Sequence, residues 1–178
     1  GAKVVVFSGY KCKSTAYYAQ QKYPDVKFII CDCIPTSIDG TQELIGPNTV
    51  SLAFSEEESG FLAGYAAVMD GYRKIGFMGG MAVPSVVRYG YGFVAGAEYA
   101  ADRLGLKEGD VEMKYYYTGT FAASPEAVTA ALSWYKSGTE LIFACGGLMN
   151  SSVMKAAEIS GSKVIGVDVD QSAESPTV

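Results

Sequence analysis

Lys74-Ile75-Gly76-Phe77-Met78-Gly79-Gly80-Met81-Ala82-Val83-Pro84-Ser85 is the stretch on which the fold turns. A short apolar run, Lys74–Met78, stops at a glycine pair, and an amphipathic stretch then runs from about Ser85 to Leu104 and halts at Gly105. That order spells a strand, a turn and a helix. It recurs outward in both directions. Runs of strand length and β-branched or aromatic content are Lys3–Phe7, Val26–Cys31, Thr49–Ala53, Lys74–Met78, Val111–Thr118, Leu141–Cys145 and Lys163–Val167. Helical stretches fall between the later ones. Ser55 with Glu58 three residues on predicts a capping box, followed by an apolar face of Phe61, Leu62, Tyr65, Ala66 and Met69. Ser124-Pro125-Glu126 opens another helix that Gly138 closes, and a last one runs from near Asn150 to Gly161. Strands alternating with helices predict an α/β fold with parallel sheets covered on both faces.

The composition removes several kinds of function. With 19 acidic residues against 14 Lys and Arg, and no basic run, the chain of 178 residues carries a net charge of −5 and offers no nucleic-acid footprint. It contains no histidine, which takes away the commonest general base and metal ligand together. Cys12, Cys31, Cys33 and Cys145 lack the paired spacing of a metal site, and Cys31 and Cys33 are expected on one face of a strand as buried thiols. No cofactor is called for, and no apolar run is long enough to span a membrane. Neither Gly79-Gly80 nor Gly146-Gly147 fits a phosphate-loop spacing.

In doubly wound sheets, ligands bind beyond the carboxyl ends of the strands. The segments there are Ser8–Lys11, Asp32-Cys33, Gly79–Pro84, Gly119–Phe121, Gly146–Asn150 and Asp168–Gln171. Asp168 and Asp32 stand directly after strands, where a carboxylate either accepts hydrogen bonds from a ligand or caps a turn. Asp170 reads as structural. Tyr10, Tyr89, Phe121 and Phe143 are the rings available to a flat or sugar-like ligand, Phe143 reading more readily as core. The loop-like stretch between Cys33 and Thr49 looks like a crossing between lobes. It divides the chain into a partial first lobe (1–53), a second lobe (54–170) and a segment (171–178) heading back to the first. The chain thus reads as a piece of a longer protein.

Three motifs carry a resemblance. Phe54-Ser55-Glu56-Glu57-Glu58-Ser59-Gly60-Phe61-Leu62-Ala63-Gly64-Tyr65 is the first, and Ile75–Met81 with Pro84–Gly96 is the second. With Val164-Ile165-Gly166-Val167-Asp168-Val169-Asp170-Gln171, they resemble the basic membrane protein family of substrate-binding lipoproteins of ABC transporters, which includes purine nucleoside receptors. The resemblance implies a type I periplasmic-binding-protein fold, with doubly wound sheets in two lobes that close on a ligand by hinge motion. Part of the first lobe and most of the second lie in this chain. The implied function is non-enzymatic: an extracytoplasmic protein holding a nucleoside by aromatic stacking and carboxylate hydrogen bonds for an ABC permease. A lipid anchor absent from this chain would tether it to the membrane. By motif position the resemblance implies Asp168 as the carboxylate of the second lobe and Asp32 as that of the first. Phe121 and Phe143 would supply rings, Gly147 backbone approach, and Tyr89 and Tyr10 further contacts. A sugar or another small polar solute, or a sensing role for the same fold, is the alternative reading.

Overall fold

The computed structural model describes residues 1–178, which divide into two compact units, Gly1–Phe54 and Ser55–Val178.

The first unit is a parallel three-stranded sheet in the order β1 (Val4–Ser8), β2 (Lys27–Cys31), β3 (Thr49–Leu52). A helix, α1 (Lys13–Lys22), follows a short 3₁₀ turn at Tyr10–Cys12 and buries Ala16, Tyr17 and Gln20. The sequence gives little sign of it. These positions recur without a broad apolar stripe, because Gln20 and the tyrosine hydroxyl are drawn in by polar partners: Gln20 donates to Leu44 O at 2.8 Å, and Tyr17 OH donates to Gln42 Oε1 at 2.8 Å. Strand register places Val4, Val6, Ile29, Val50 and Leu52 on one face. Val4, Val6, Val50 and Leu52 there are 46–61% exposed, so this face of the sheet is uncovered within the unit.

The second unit is a parallel four-stranded sheet in the order β5-β4-β6-β7, where β4 is Lys74–Gly79, β5 Glu112–Tyr117, β6 Leu141–Cys145 and β7 Lys163–Ile165. Its helices are α2 (Glu56–Met69), α3 (Pro84–Arg103), α4 (Pro125–Lys136) and α5 (Met149–Ser160). The period of two along β4 and β6 sorts side chains to the two faces. Phe77 and Phe143 meet Phe93 of α3, while Met78, Ile142 and Ala144 join Ala131 of α4 and Val153 of α5. Helices thus cover both faces, as the alternation of elements predicts. No helix is long and apolar enough to cross a membrane.

Two local expectations at α2 are corrected. Ser55 stands at the N-cap but its side chain caps nothing. The buried residues of the helix are Glu56, Gly60, Gly64, Ala67 and Val68, whereas Leu62 is 64% and Met69 44% exposed. Small residues, not large ones, mark the packed face, because α2 and α3 meet backbone to backbone. A Cβ on Gly64 would lie 2.0 Å from Phe93 O, and one on Gly96 would lie 1.9 Å from Phe61 O. At the start of the pair, Arg88 Nε donates at 2.5 Å to Glu56, whose side chain is 4% exposed. The other helix ends follow the sequence signals: Ser124 Oγ accepts from the Ala127 amide at 3.1 Å, and Gly161 ends α5 in the left-handed conformation at φ 66°. Residues 171–178, expected as a segment leading back to the first lobe, pack on the second unit. Val164 N donates to Thr177 O at 2.9 Å, and Ser175 Oγ donates to Glu158 Oε1 at 2.9 Å.

Candidate functional site

In the second unit, β4 connects outward to β5 on one side while β6 connects to β7 on the other. The carboxyl ends of the neighbouring strands β4 and β6 therefore flank a topological switch point, where the two chain crossings diverge and leave a crevice. Three segments, those that follow β4, β5 and β6, converge there, and backbone hydrogen bonds hold them together. Gly80 N donates to Cys145 O at 2.9 Å, Gly119 N to Gly80 O at 3.0 Å, and Met149 N to Phe121 O at 3.1 Å.

Phe121 lies against Gly80, and a Cβ there would sit 2.6 Å from the ring's Cδ1. The second glycine of the first pair is thus the space the ring occupies. Gly147, at φ 57°, stands beside the same residue: its own Cβ would be 3.7 Å from Phe121 O. Phe121, Gly80 and Gly147 form one half-open corner of the site.

Asp168 follows β7 on a three-residue turn closed by Val169 N donating to Val167 O at 2.8 Å. Its φ is +66°, and Asp32 at +69° is the one other non-glycine residue of the chain in that region. Such a conformation costs an L residue about 1–2 kcal/mol, with Asp among the residues that tolerate it best. Strain of this kind gathers at functional positions. Tyr89 of α3 donates its hydroxyl to Asp168 Oδ1 at 3.4 Å, and its ring stands edge-on to Phe143 with centroids 6.0 Å apart. Tyr89 and Asp168 are thus brought together. Asp170 is exposed, and its carboxylate accepts from Ser172 N at 2.9 Å, the turn-capping role expected of it.

Phe143 does not reach the site as a free ring. It lies inside β6, 2% exposed, enclosed by Phe77, Phe93 and Tyr89. A ligand-stacking role for it is therefore corrected to a core role: its ring meets the site only through Tyr89.

Burial first, and then the negative charge of Asp168, push the Tyr89 phenol up to about 12. A raised phenol favours the protonated hydroxyl in the folded state. Its contribution is complete below the ordinary tyrosine value near 10 and is lost as pH rises through about 12. The stability advantage of the wild-type protein over Tyr89→Phe should fade over that window. Denaturant titrations at stepped pH measure it, and a difference constant from pH 9 to 12 would count against the pairing.

In the first unit, Gly9 N donates to Cys31 O at 3.2 Å and Asp32 N to Leu52 O at 2.8 Å, which fixes the ends of β1 and β2. Tyr10 heads the 3₁₀ turn, and Lys13 Nζ donates to its hydroxyl at 3.0 Å while sitting 4.5 Å from its ring centroid. Cys33 lies beyond the strand, which ends at Cys31, and the left-handed Asp32 separates the two. Cys31 and Cys33 are thus not neighbours on one strand face, contrary to the expectation from their spacing. All four cysteines are free thiols. Burial, then the Asp32 charge, pushes the Cys33 thiol up to about 11, so it is an unreactive thiol at neutral pH.

Two residues that sequence reasoning passes over stand directly behind the site. Asn150, 1% exposed, accepts from Gly146 N at 2.8 Å through Oδ1, and Gln171 accepts from Val167 N at 3.0 Å through Oε1. Both fall in segments that follow strands, which is the one sequence signal that could have found them.

Residues 1–178 match the family described as ABC transporter substrate-binding protein PnrA-like. The chain is 34% identical over 179 residues to Basic membrane protein A1 of Borrelia garinii subsp. bavariensis, covering 99% of this chain and 50% of that protein. It is 31% identical over 180 residues to the ABC transporter nucleoside-binding protein BmpA of Lactococcus lactis subsp. cremoris, covering 96% and 47%. A solved ABC transporter solute-binding protein from Aeropyrum pernix K1 shares the fold with a TM-score of 0.81 at 22% identity, over 99% of this chain and 49% of that one. The chain spans about half the length of the curated relatives it matches. Over its whole length, the chain belongs to the family of PnrA-like substrate-binding proteins of ABC transporters.

Proposed function

We propose that this chain is part of the extracytoplasmic solute-binding component of an ABC importer, and that it binds a nucleoside, in the first place a purine nucleoside. The observation that carries the reading is the pairing of a strained, left-handed carboxylate, Asp168, with the Phe121 ring laid over Gly80, both in segments leaving the strand carboxyl ends of one sheet. A purine presents a flat apolar face to a ring, and its ring N–H and ribose hydroxyls present donors to a carboxylate. Gly147 gives the ligand close access to backbone, and Tyr89 holds Asp168. Asp32 and Tyr10, at the strand ends of the first unit, are proposed as further ligand contacts. The name of the Lactococcus lactis relative supports the nucleoside class.

The role is binding without chemistry. No histidine is present, and the thiols near the proposed site have pKa values raised by burial. The partner is an ABC permease, and a lipid anchor outside this chain would hold the protein at the membrane surface. Calorimetry of the full-length protein with inosine, guanosine and adenosine tests the reading. Saturable binding of at least one at a single site is expected. Heat from ribose or another sugar with none from any nucleoside would reassign the ligand class.

A further inference from the structure

Two buried amides connect the corner that holds Phe121 to the turn that holds Asp168. Asn150 Oδ1 accepts from Gly146 N at 2.8 Å, which turns its Nδ2 toward Gln171 Oε1 at 3.4 Å. That same Oε1 accepts from Val167 N at 3.0 Å, while Gln171 Nε2 faces the two Glu174 oxygens at 3.4 and 3.5 Å. Each amide is therefore oriented by its neighbours and cannot be flipped without placing donor against donor. Gly166 leaves the room Gln171 needs, since a Cβ there would lie 2.7 Å from Oε1. On the other side, Met149, adjacent to Asn150, donates its amide to Phe121 O at 3.1 Å. A continuous path thus runs from Phe121 through Asn150 and Gln171 to Val167, the residue before Asp168.

We infer that Asn150 and Gln171 are positioning residues that fix the spacing between the Phe121 ring and the Asp168 carboxylate, and thereby set affinity for the nucleoside. The inference rests on the proposed nucleoside reading. Asn150 is 1% and Gln171 8% exposed, so the two amides exchange little with water, and a mismatch between them is costly. Neither touches the ligand. They act by holding two turns whose central residues, Gly147 and Asp168, both stand in the left-handed region.

Asn150→Asp separates positioning from a general structural role. The carboxylate still accepts from Gly146 N, but its second oxygen faces Gln171 Oε1, acceptor against acceptor. If Gln171 flips to donate, the Val167 amide loses its partner. A protonated carboxyl donates as the native amide does and restores the path. Burial, with the Glu174 carboxylate behind Gln171 and Asp168 across the turn, raises the pH at which that proton is taken up; Cys145, beside Gly146, is a neutral thiol. Inosine affinity of the full-length Asn150→Asp protein is therefore expected to be about tenfold or more below wild type at pH 7.5. The gap should close toward acid pH, measured as the ratio to wild type at each pH. Equal affinity at pH 7.5, or a deficit constant with pH, overturns the inference and leaves the nucleoside reading standing. Failure of the wild-type protein to bind any nucleoside overturns that reading instead. Hydrogen exchange of the ligand-free protein then decides the network: faster exchange of the Val167 amide in Asn150→Asp and Gln171→Ala supports it, and unchanged exchange sinks it.

Discussion

Gly96→Val is expected to unfold the second unit or to lower its melting temperature by many degrees. Four glycines make the α2–α3 contact. Added Cβ atoms would stand 2.2 Å from Tyr89 O at Gly60, 2.0 Å from Phe93 O at Gly64, 2.1 Å from Glu57 O at Gly92 and 1.9 Å from Phe61 O at Gly96. The obstacle in every case is backbone of the facing helix, which cannot rotate aside as a side chain does. A single methyl group must push the helices apart, and overpacking of this kind costs about 1–3 kcal/mol and occasionally more. The gain in helix propensity from replacing glycine by alanine, about 1 kcal/mol, offsets only part of it. Valine adds two methyl groups and stiffens χ1, so its loss is the larger. Scanning calorimetry of Gly96→Ala and Gly96→Val should give a graded fall in melting temperature. A Gly96→Val protein as stable as wild type would mean that the two helices do not approach in this way.

Replacing Asp168 should remove most of the ligand affinity, and two variants separate the carboxylate from its backbone. Hydrogen bonds to a charged group contribute about 1.5–3 kcal/mol each, so losing the carboxylate should weaken nucleoside binding by roughly ten- to a hundredfold or more. Asp168→Gly and Asp168→Ala lose it equally. They differ in the backbone, which at φ 66° suits glycine and strains alanine. Asp168→Gly should therefore be more stable than Asp168→Ala in denaturant titration, by about 1 kcal/mol. Retained affinity in the glycine variant would remove Asp168 from the site.

The alternation of elements was legible along the chain because most strand runs are bounded by glycine, and the later helices carry their own caps. Leu141–Cys145 forms a strand over the residues expected of it, and the other six strands start or end within one or two residues of expectation. What failed at α2 did so for a physical reason. A pattern of large apolar residues predicts a buried face only when helices pack through side chains, and here Gly60, Gly64, Gly92 and Gly96 bring backbone into contact, leaving Leu62 and Met69 outside. The helix α1 was missed because Gln20 is buried by hydrogen bonds rather than by hydrophobicity. Asp168 and Asp32 could each be placed at a strand end from sequence, but their left-handed backbone could not. The core reading of Phe143 was legible, since it falls two residues inside the run Leu141–Cys145, and its 2% exposure agrees. The Asn150–Gln171 pair spans 21 residues and joins the first turn of α5 to the loop after β7, so no local pattern encodes it.

The claim that a nucleoside is held at the carboxyl ends of these strands is tested most directly by a crystal structure of the full-length protein with inosine bound. The purine face is expected against Phe121, with a ring N–H or ribose hydroxyl within hydrogen-bond distance of Asp168. Inosine bound with neither Phe121 nor Asp168 in contact would contradict it.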